Sequence, residues 1–301
     1  MIPNLYILGA PKCGTTTLTA WLRQHPDVVA TRVKEPHYYY SPYGEPRSRD
    51  EYEALYATGR PGSTYVDSSV WYLFGRAAAP KIVAETPTAR FVVCVRNPVD
   101  MVPSLHAQKL LTGHEKLTDL QEAWDVADAR ASGSNVGIYG IPDGDPAHMS
   151  YKAACLLGAQ VRDLLQAVDR SQVLIVLLED IATEPDRIWR LVCSHAGLDP
   201  VAVDLASLNI AAVHRRSQLG HRLLSGVGAA KKALGLSGRS GLLAPLHRLN
   251  LRSGRYTAPP QSLRQEMSRY FRDDIELLAS LIDRDLGHWL TAAEQHTGWS
   301  E

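Results

Sequence analysis

The residues Gly9-Ala10-Pro11-Lys12-Cys13-Gly14-Thr15-Thr16-Thr17 place two glycines, one cation and three hydroxyls in a short run. An apolar stretch, Leu5-Tyr6-Ile7-Leu8, leads into it, and Leu18, Trp21 and Leu22 follow at helical spacing. The pattern predicts a buried strand, a glycine-bounded loop and a helix. Such a loop is an anion site. Amide N–H groups at the helix start point into it, and the helix dipole adds positive potential. Lys12 adds a full charge. The expected binding surface is Pro11, Lys12, Cys13, Gly14, Thr15, Thr16 and Thr17. Cys13 is read as a loop residue rather than a nucleophile, since no base is assigned beside it.

Gly9 and Gly14 keep the glycine spacing of a Walker A loop, but that motif has Lys directly after its second Gly. Here Thr15 holds that place and Lys12 sits inside the loop. The shifted cation argues against an ordinary ATP or GTP kinase. A kinase with an atypical loop remains one alternative, and a non-catalytic nucleotide-binding module is another. A second group of candidates follows the apolar run Phe91-Val92-Val93-Cys94-Val95. Arg96 ends that run, and Ser104 lies eight residues further on. Arg presents a planar fork to phosphate oxygens, and Ser adds a hydroxyl donor.

The run Gly9 to Leu18 resembles the 5′-phosphosulfate loop of sulfotransferases, which use 3′-phosphoadenosine 5′-phosphosulfate (PAPS) and release 3′-phosphoadenosine 5′-phosphate (PAP). The resemblance implies that Arg96 and Ser104 bind the 3′-phosphate. Arg252-Ser253-Gly254-Arg255 is similar to the Lys-Gly-Arg loop that covers this phosphate in heparan-type enzymes, with Ser253 in the Lys place and Arg252 next to it. Lys34-Glu35-Pro36-His37-Tyr38-Tyr39 resembles the Lys-Glu-Pro-His-Phe-Phe segment whose Glu is the proposed general base. The role passes to Glu35, and His37 is a neighbouring, orienting or alternative base. Asp67-Ser68-Ser69-Val70-Trp71-Tyr72 is similar to a stretch with Lys at its second position in the animal heparan enzymes. Ser68 stands there, which speaks against animal-type glycosaminoglycan specificity. The resemblance extends to the segment from Arg269 to Leu290. It implies sulfuryl transfer to a hydroxyl of a glycan, a small molecule or a secondary metabolite. Lys12 would then meet the charge on the leaving phosphate. Trp71, Tyr72 and Tyr38 to Tyr40 are candidates to stack on an acceptor ring, and His106 and His114 are weaker candidates for the cleft.

These loops need a scaffold. Val28 to Ala30, Tyr65 to Asp67 and Val173 to Leu178 read as further strands. Helices are predicted over 47–59, 76–86, from Val99, over 117–130, 151–168, 186–196 and 261–290, with a long exposed loop at 131–147. Strands alternating with helices predict an α/β fold, a P-loop-type domain with a central parallel sheet flanked by helices. One such domain over 1–301 is expected, with 218–255 as a basic insertion or cap over the cofactor.

Composition narrows the classes. The chain has 301 residues, 45% hydrophobic and 21% charged, with 32 basic and 32 acidic side chains. That balance excludes a disordered tail, a collagen-like chain and a disulfide scaffold. It also argues against duplex DNA as a partner. Four scattered cysteines form no CxxC pair and suggest a reduced, cytoplasmic setting. No zinc pattern, acidic cluster, signal peptide or membrane-length apolar run is expected, so no metal is assigned. Abundant Ala, Arg, Leu and Gly suits a bacterial chain. The neutral total hides a partition: no acidic residue lies between Asp204 and Glu266. A positive field there would speed capture of a polyanionic cofactor, with an anionic acceptor or membrane surface ranked lower.

Overall fold

The apolar runs of the sequence become the strands of one sheet. A computed structural model of the chain describes residues 2–31, 33–44, 46–57, 59–60, 62–138, 144–206, 213–215, 251–253 and 259–295. Strand β1 (Leu5–Gly9) leads to helix α1 (Thr15–Leu22), then β2 (Val28–Ala30), α2 (Arg49–Ala54) and β3 (Thr64–Asp67). Next come α3 (Ala78–Glu85), β4 (Arg90–Val95), α4 (Pro98–Thr112), α5 (Leu120–Asp125) and α6 (Ala127–Ala131). The chain continues through α7 (Tyr151–Ala154), α8 (Leu157–Ala167), β5 (Val173–Leu177), α9 (Leu178–Thr183) and α10 (Pro185–Ala196). Strands β6 (Val213–Arg215) and β7 (Leu251–Ser253) form an antiparallel pair, followed by α11 (Gln261–Ile282) and α12 (Gly287–Gln295).

The five-stranded sheet has the order β2-β3-β1-β4-β5, and every pairing is parallel. The expected α/β architecture with a central parallel sheet flanked by helices is what the structure shows. β1 is buried throughout, and β4 is buried from Phe91 to Val95, as continuous apolar runs require when helices cover both faces. The chain lays β2 and β3 on one side of β1, and β4 and β5 on the other. The order therefore reverses beside β1, and ligands of open parallel sheets sit outside the carboxyl ends of strands at such a point. The loop at 9–14 and Arg96 both leave the sheet at that end.

Three expected helices are divided. The helix predicted over 117–130 breaks at Val126, which leaves helical geometry with φ −87° and ψ 2°. The one predicted over 151–168 breaks at Cys155 and Leu156. There Asp274 of α11 accepts from the Gly158 and Ala159 amides, each at 2.8 Å, and so caps α8 from across the fold. The last helix stops at Asp283, in the left-handed region at φ 52°, before α12 begins. The apolar run at 173–178 is a strand only to Leu177, because Leu178 starts α9. Of the basic stretch 218–255, only 251–253 is among the described residues.

Under α4 lies an ion pair with no solvent exposure. Arg130 Nη1 and Nη2 meet Glu115 Oε2 and Oε1 at 2.8 and 2.9 Å, and the Tyr151 hydroxyl donates to Oε2 at 2.7 Å. A buried carboxylate tolerates this place only because all these donors reach it.

Candidate active site

The loop between β1 and α1 has the conformation its glycines permit. Gly9 has φ 149°, and a Cβ there would lie 2.5 Å from the Val70 carbonyl oxygen. Gly14 caps α1 at φ 92°, and a Cβ there would lie 2.9 Å from Cδ1 of both Leu178 and Ile181. Thr17 and Leu18 make the first helical bonds, to Gly14 O. The preceding amides of Thr15 and Thr16 stay with the anion end of the helix.

Lys12 lies in this loop at φ 66°, and Arg96 Nη1 donates to its carbonyl oxygen at 3.3 Å. Burial holds the Lys12 ammonium below its ordinary value, and the Arg96 and Lys34 charges lower it further. Three cations thus converge where the helix dipole is already positive. Among the described residues no carboxylate pairs with Lys12. The arrangement fits the phosphates and the sulfate of PAPS, which would supply the missing negative charge.

The other loop residues divide by direction. Pro11 is buried. The Cys13 thiol is fully buried, 3.8 Å from Met101 Sδ and 3.5 Å from Pro11 O, and burial pushes it up to about 12. It is a packing group, consistent with its reading as a loop residue rather than a nucleophile. Thr15 and Thr17 are buried, and Thr16 is half-buried. Ser104 is half-buried on α4, the helix that begins just after Arg96. Arg252 pairs with His214 and Ser253 with Val213 along β6 and β7. Gly254 and Arg255 lie outside the described residues.

The segment carrying Glu35 and His37 meets the phosphate loop. Lys34 Nζ donates to Thr16 Oγ1 at 3.0 Å and to Glu35 Oε1 at 3.1 Å. His37 Nε2 lies 3.5 Å from Glu35 Oε2. Burial lowers the His37 pKa against the pull of Glu35, which favours the neutral imidazole near pH 7. Glu35 has φ 63° and His37 φ 57°. With Lys12 they are three of the four non-glycine residues at positive φ among the described residues. The fourth, Asp283, ends a helix. Backbone strain gathers where function over-determines geometry, and here it gathers on the three residues proposed from sequence as catalytic.

The aromatic candidates pack mostly into the protein. Tyr39, Trp71 and Tyr72 are buried in the core. Tyr38 stacks on Tyr52 at 4.4 Å, and Tyr40 donates to Asp145 at 3.1 Å. The exposed ring of this region is Tyr43, 38% accessible, stacked on His114 at 5.0 Å and edge-on to His37 at 5.8 Å. It belongs to the same aromatic run as Tyr38 to Tyr40, and extending that run by three positions reaches it. His106 is bound to Leu117 O at 2.9 Å and is buried, a structural role. Ser68, at the position of the heparan Lys, is buried 2.9 Å from Thr19 Oγ1. Among the described residues no cluster of metal-ligating side chains occurs, and no helix is long and apolar enough to cross a membrane.

A phosphate loop at the switch point of a parallel sheet, with a second basic residue at the next strand end, defines a phosphate-binding α/β protein. Residues 3–208 match the family described as sulfotransferase domain, so the chain belongs to the sulfotransferase family, whose members use PAPS. It is similar to human heparan sulfate glucosamine 3-O-sulfotransferase 3B1, 31% identical over 147 residues, 46% of this chain and 36% of that protein. Human heparan sulfate glucosamine 3-O-sulfotransferase 6 is 35% identical over 108 residues, 36% of this chain and 31% of that protein. The matches therefore span about a third of those relatives. The solved sulfotransferase from Alicyclobacillus acidocaldarius shares the fold, with a TM-score of 0.69 and 24% identity over 96% of this chain and 99% of that one.

Proposed function

We propose that the protein transfers the sulfuryl group of PAPS to an acceptor hydroxyl by in-line displacement and leaves PAP. The observation that carries this reading is the meeting of Lys12, Lys34 and Arg96 at the start of α1, within reach of a carboxylate, Glu35. PAPS, when bound, supplies a sulfuryl group on a phosphate leaving group. The Thr15 and Thr16 amides hold the 5′-phosphate with the Thr16 hydroxyl. Lys12 stabilises the charge that develops on the leaving oxygen, a pre-organised electrostatic effect. Arg96, with Ser104 and the 252–255 segment, recognises the 3′-phosphate that distinguishes PAP from ADP.

Glu35 accepts the proton of the acceptor hydroxyl, and neutral His37 orients it or relays that proton. The acceptor lies on the Glu35 side of the loop, against the exposed Tyr43 ring. A ring with apolar C–H faces suits that platform, so a glycan or glycosylated metabolite is the proposed acceptor class. With Ser68 buried where heparan enzymes have Lys, a densely anionic chain is the less suited member of that class. The whole chain, 1–301, is read as one such domain.

Calorimetric titration with PAP and with ADP tests the nucleotide assignment. PAP binding at least ~10-fold tighter than ADP, lost in Arg96→Ala, supports it. Equal affinities would remove the 3′-phosphate site from the account. An acceptor screen read by sulfate mass gain then identifies the partner hydroxyl.

A further inference from the structure

The loop that carries Glu35 is held from beneath by hydroxyls that share one buried carboxylate. Asp67, the last residue of β3, has no exposure to solvent. Ser69 Oγ donates to its Oδ1 at 2.7 Å. The Tyr52 and Tyr72 hydroxyls donate to its Oδ2 at 2.7 and 3.1 Å. Each hydroxyl has one proton. Ser69 and Tyr72, having given theirs to Asp67, turn only lone pairs to the loop. Those lone pairs are taken: His37 N–H donates to Ser69 Oγ at 3.1 Å, and the Tyr38 and Tyr39 amides donate to the Tyr72 oxygen at 2.8 and 3.2 Å.

Three consecutive amides are therefore fixed directly after Pro36. Hydroxyls polarised by a carboxylate are better acceptors, so Asp67 strengthens the bonds that Ser69 and Tyr72 accept. The loop needs such support. Glu35 and His37 both hold the left-handed conformation, which L-residues leave unless their surroundings over-determine it.

We infer that Asp67, Ser69 and Tyr72 form a brace that sets the backbone of the Glu35 to His37 loop, and that Ser69 and Tyr72 are positioning residues for proton removal from the acceptor. The inference rests on the reading of Glu35 as the base. Tyr52 supplies an internal comparison. Its hydroxyl bonds the same carboxylate, yet none of the loop amides bonds to it.

The test compares Ser69→Ala, Tyr72→Phe and Tyr52→Phe, each of which removes a single oxygen. Turnover, the KM for PAPS, PAP affinity and melting temperature are measured for each. Ser69→Ala and Tyr72→Phe are expected to lower kcat by ~10- to 100-fold, as small misplacements of a catalytic group do. The KM for PAPS and the PAP affinity stay within about twofold, because Lys12 and Arg96 are untouched. Tyr52→Phe is expected to lower the melting temperature to a similar extent and keep its kcat. Equal loss of kcat in all three variants would show a general stability effect and overturn the brace. Unchanged kcat in both Ser69→Ala and Tyr72→Phe would overturn it as well. Glu35→Gln is measured alongside. Full turnover there refutes Glu35 as base, a separate result from normal turnover in the brace variants.

Discussion

Lys34 Nζ donates a 3.0 Å hydrogen bond to Thr16 Oγ1, eighteen positions earlier in the chain. The same ammonium lies 3.1 Å from Glu35 Oε1. One side chain therefore joins the phosphate loop to the segment carrying the base. The first strand and its loop place one end of this link, and the Glu35 segment places the other.

Lys34→Met should for that reason impair two steps at once. Charge-assisted bonds contribute about 1.5–3 kcal/mol each, though this pair is partly exposed and the lower end applies. PAP affinity and kcat are each expected to fall ~10-fold, by calorimetry and steady-state turnover. A loss confined to one of the two would separate the loops functionally.

Lys12 gives a pH dependence to nucleotide binding. Its ammonium is held below the ordinary value of 10.5 by burial, Arg96 and Lys34. The charge that attracts PAP is present at low pH and is lost as pH rises through that depressed value. PAP affinity should therefore begin to fall at alkaline pH below 10.5, and this fall should vanish in Lys12→Met. Calorimetry across pH 7 to 10 checks it.

Asp67 gives a pH dependence to stability. Burial pushes its carboxyl up to about 6 from 3.8, against the three hydroxyl bonds. The folded state then holds this proton more tightly than the unfolded chain does. Its contribution to stability is greatest below about pH 4 and declines as pH rises through 4 to 6, by about 3 kcal/mol. The melting temperature of the parent minus that of Asp67→Asn should fall across this window. A difference that rises with pH would contradict the assignment.

The pair Arg130 and Glu115 tests the fold beside the site. Both side chains are inaccessible to solvent. Arg130→Ala leaves Glu115 buried with the Tyr151 hydroxyl and nearby amides only. A loss of about 3–5 kcal/mol in denaturant unfolding is expected. A loss below ~1 kcal/mol would mean that water or another cation reaches Glu115.

Local pattern carried much of this architecture. The strands at Leu5, Phe91 and Val173 are continuous apolar runs because helices cover both faces of the sheet, and the glycine-bounded loop announces its anion site by residue type. What local pattern could not carry depends on partners far along the chain. The break before α8 is stabilised by Asp274, more than a hundred residues away. Asp67 reads as a polar strand end, and its role emerges only when Tyr52 of α2 meets it beside Ser69 and Tyr72 of the turn that follows β3. The aromatic run at 38–43 signalled ring contacts, yet folding buried most of its neighbours and left Tyr43 at the surface.

Sulfuryl transfer from PAPS at the Lys12 loop is checked by a single-turnover experiment. Enzyme in excess over PAPS is mixed with a glycan and metabolite acceptor panel, and PAP formation is followed together with sulfate mass gain on the acceptors. PAP and one sulfated acceptor are expected in equal amounts, and Lys12→Ala is expected to slow the step by ~10²- to 10³-fold. Turnover at the parent rate in Lys12→Ala, or PAP release with no sulfate on any acceptor, would contradict it.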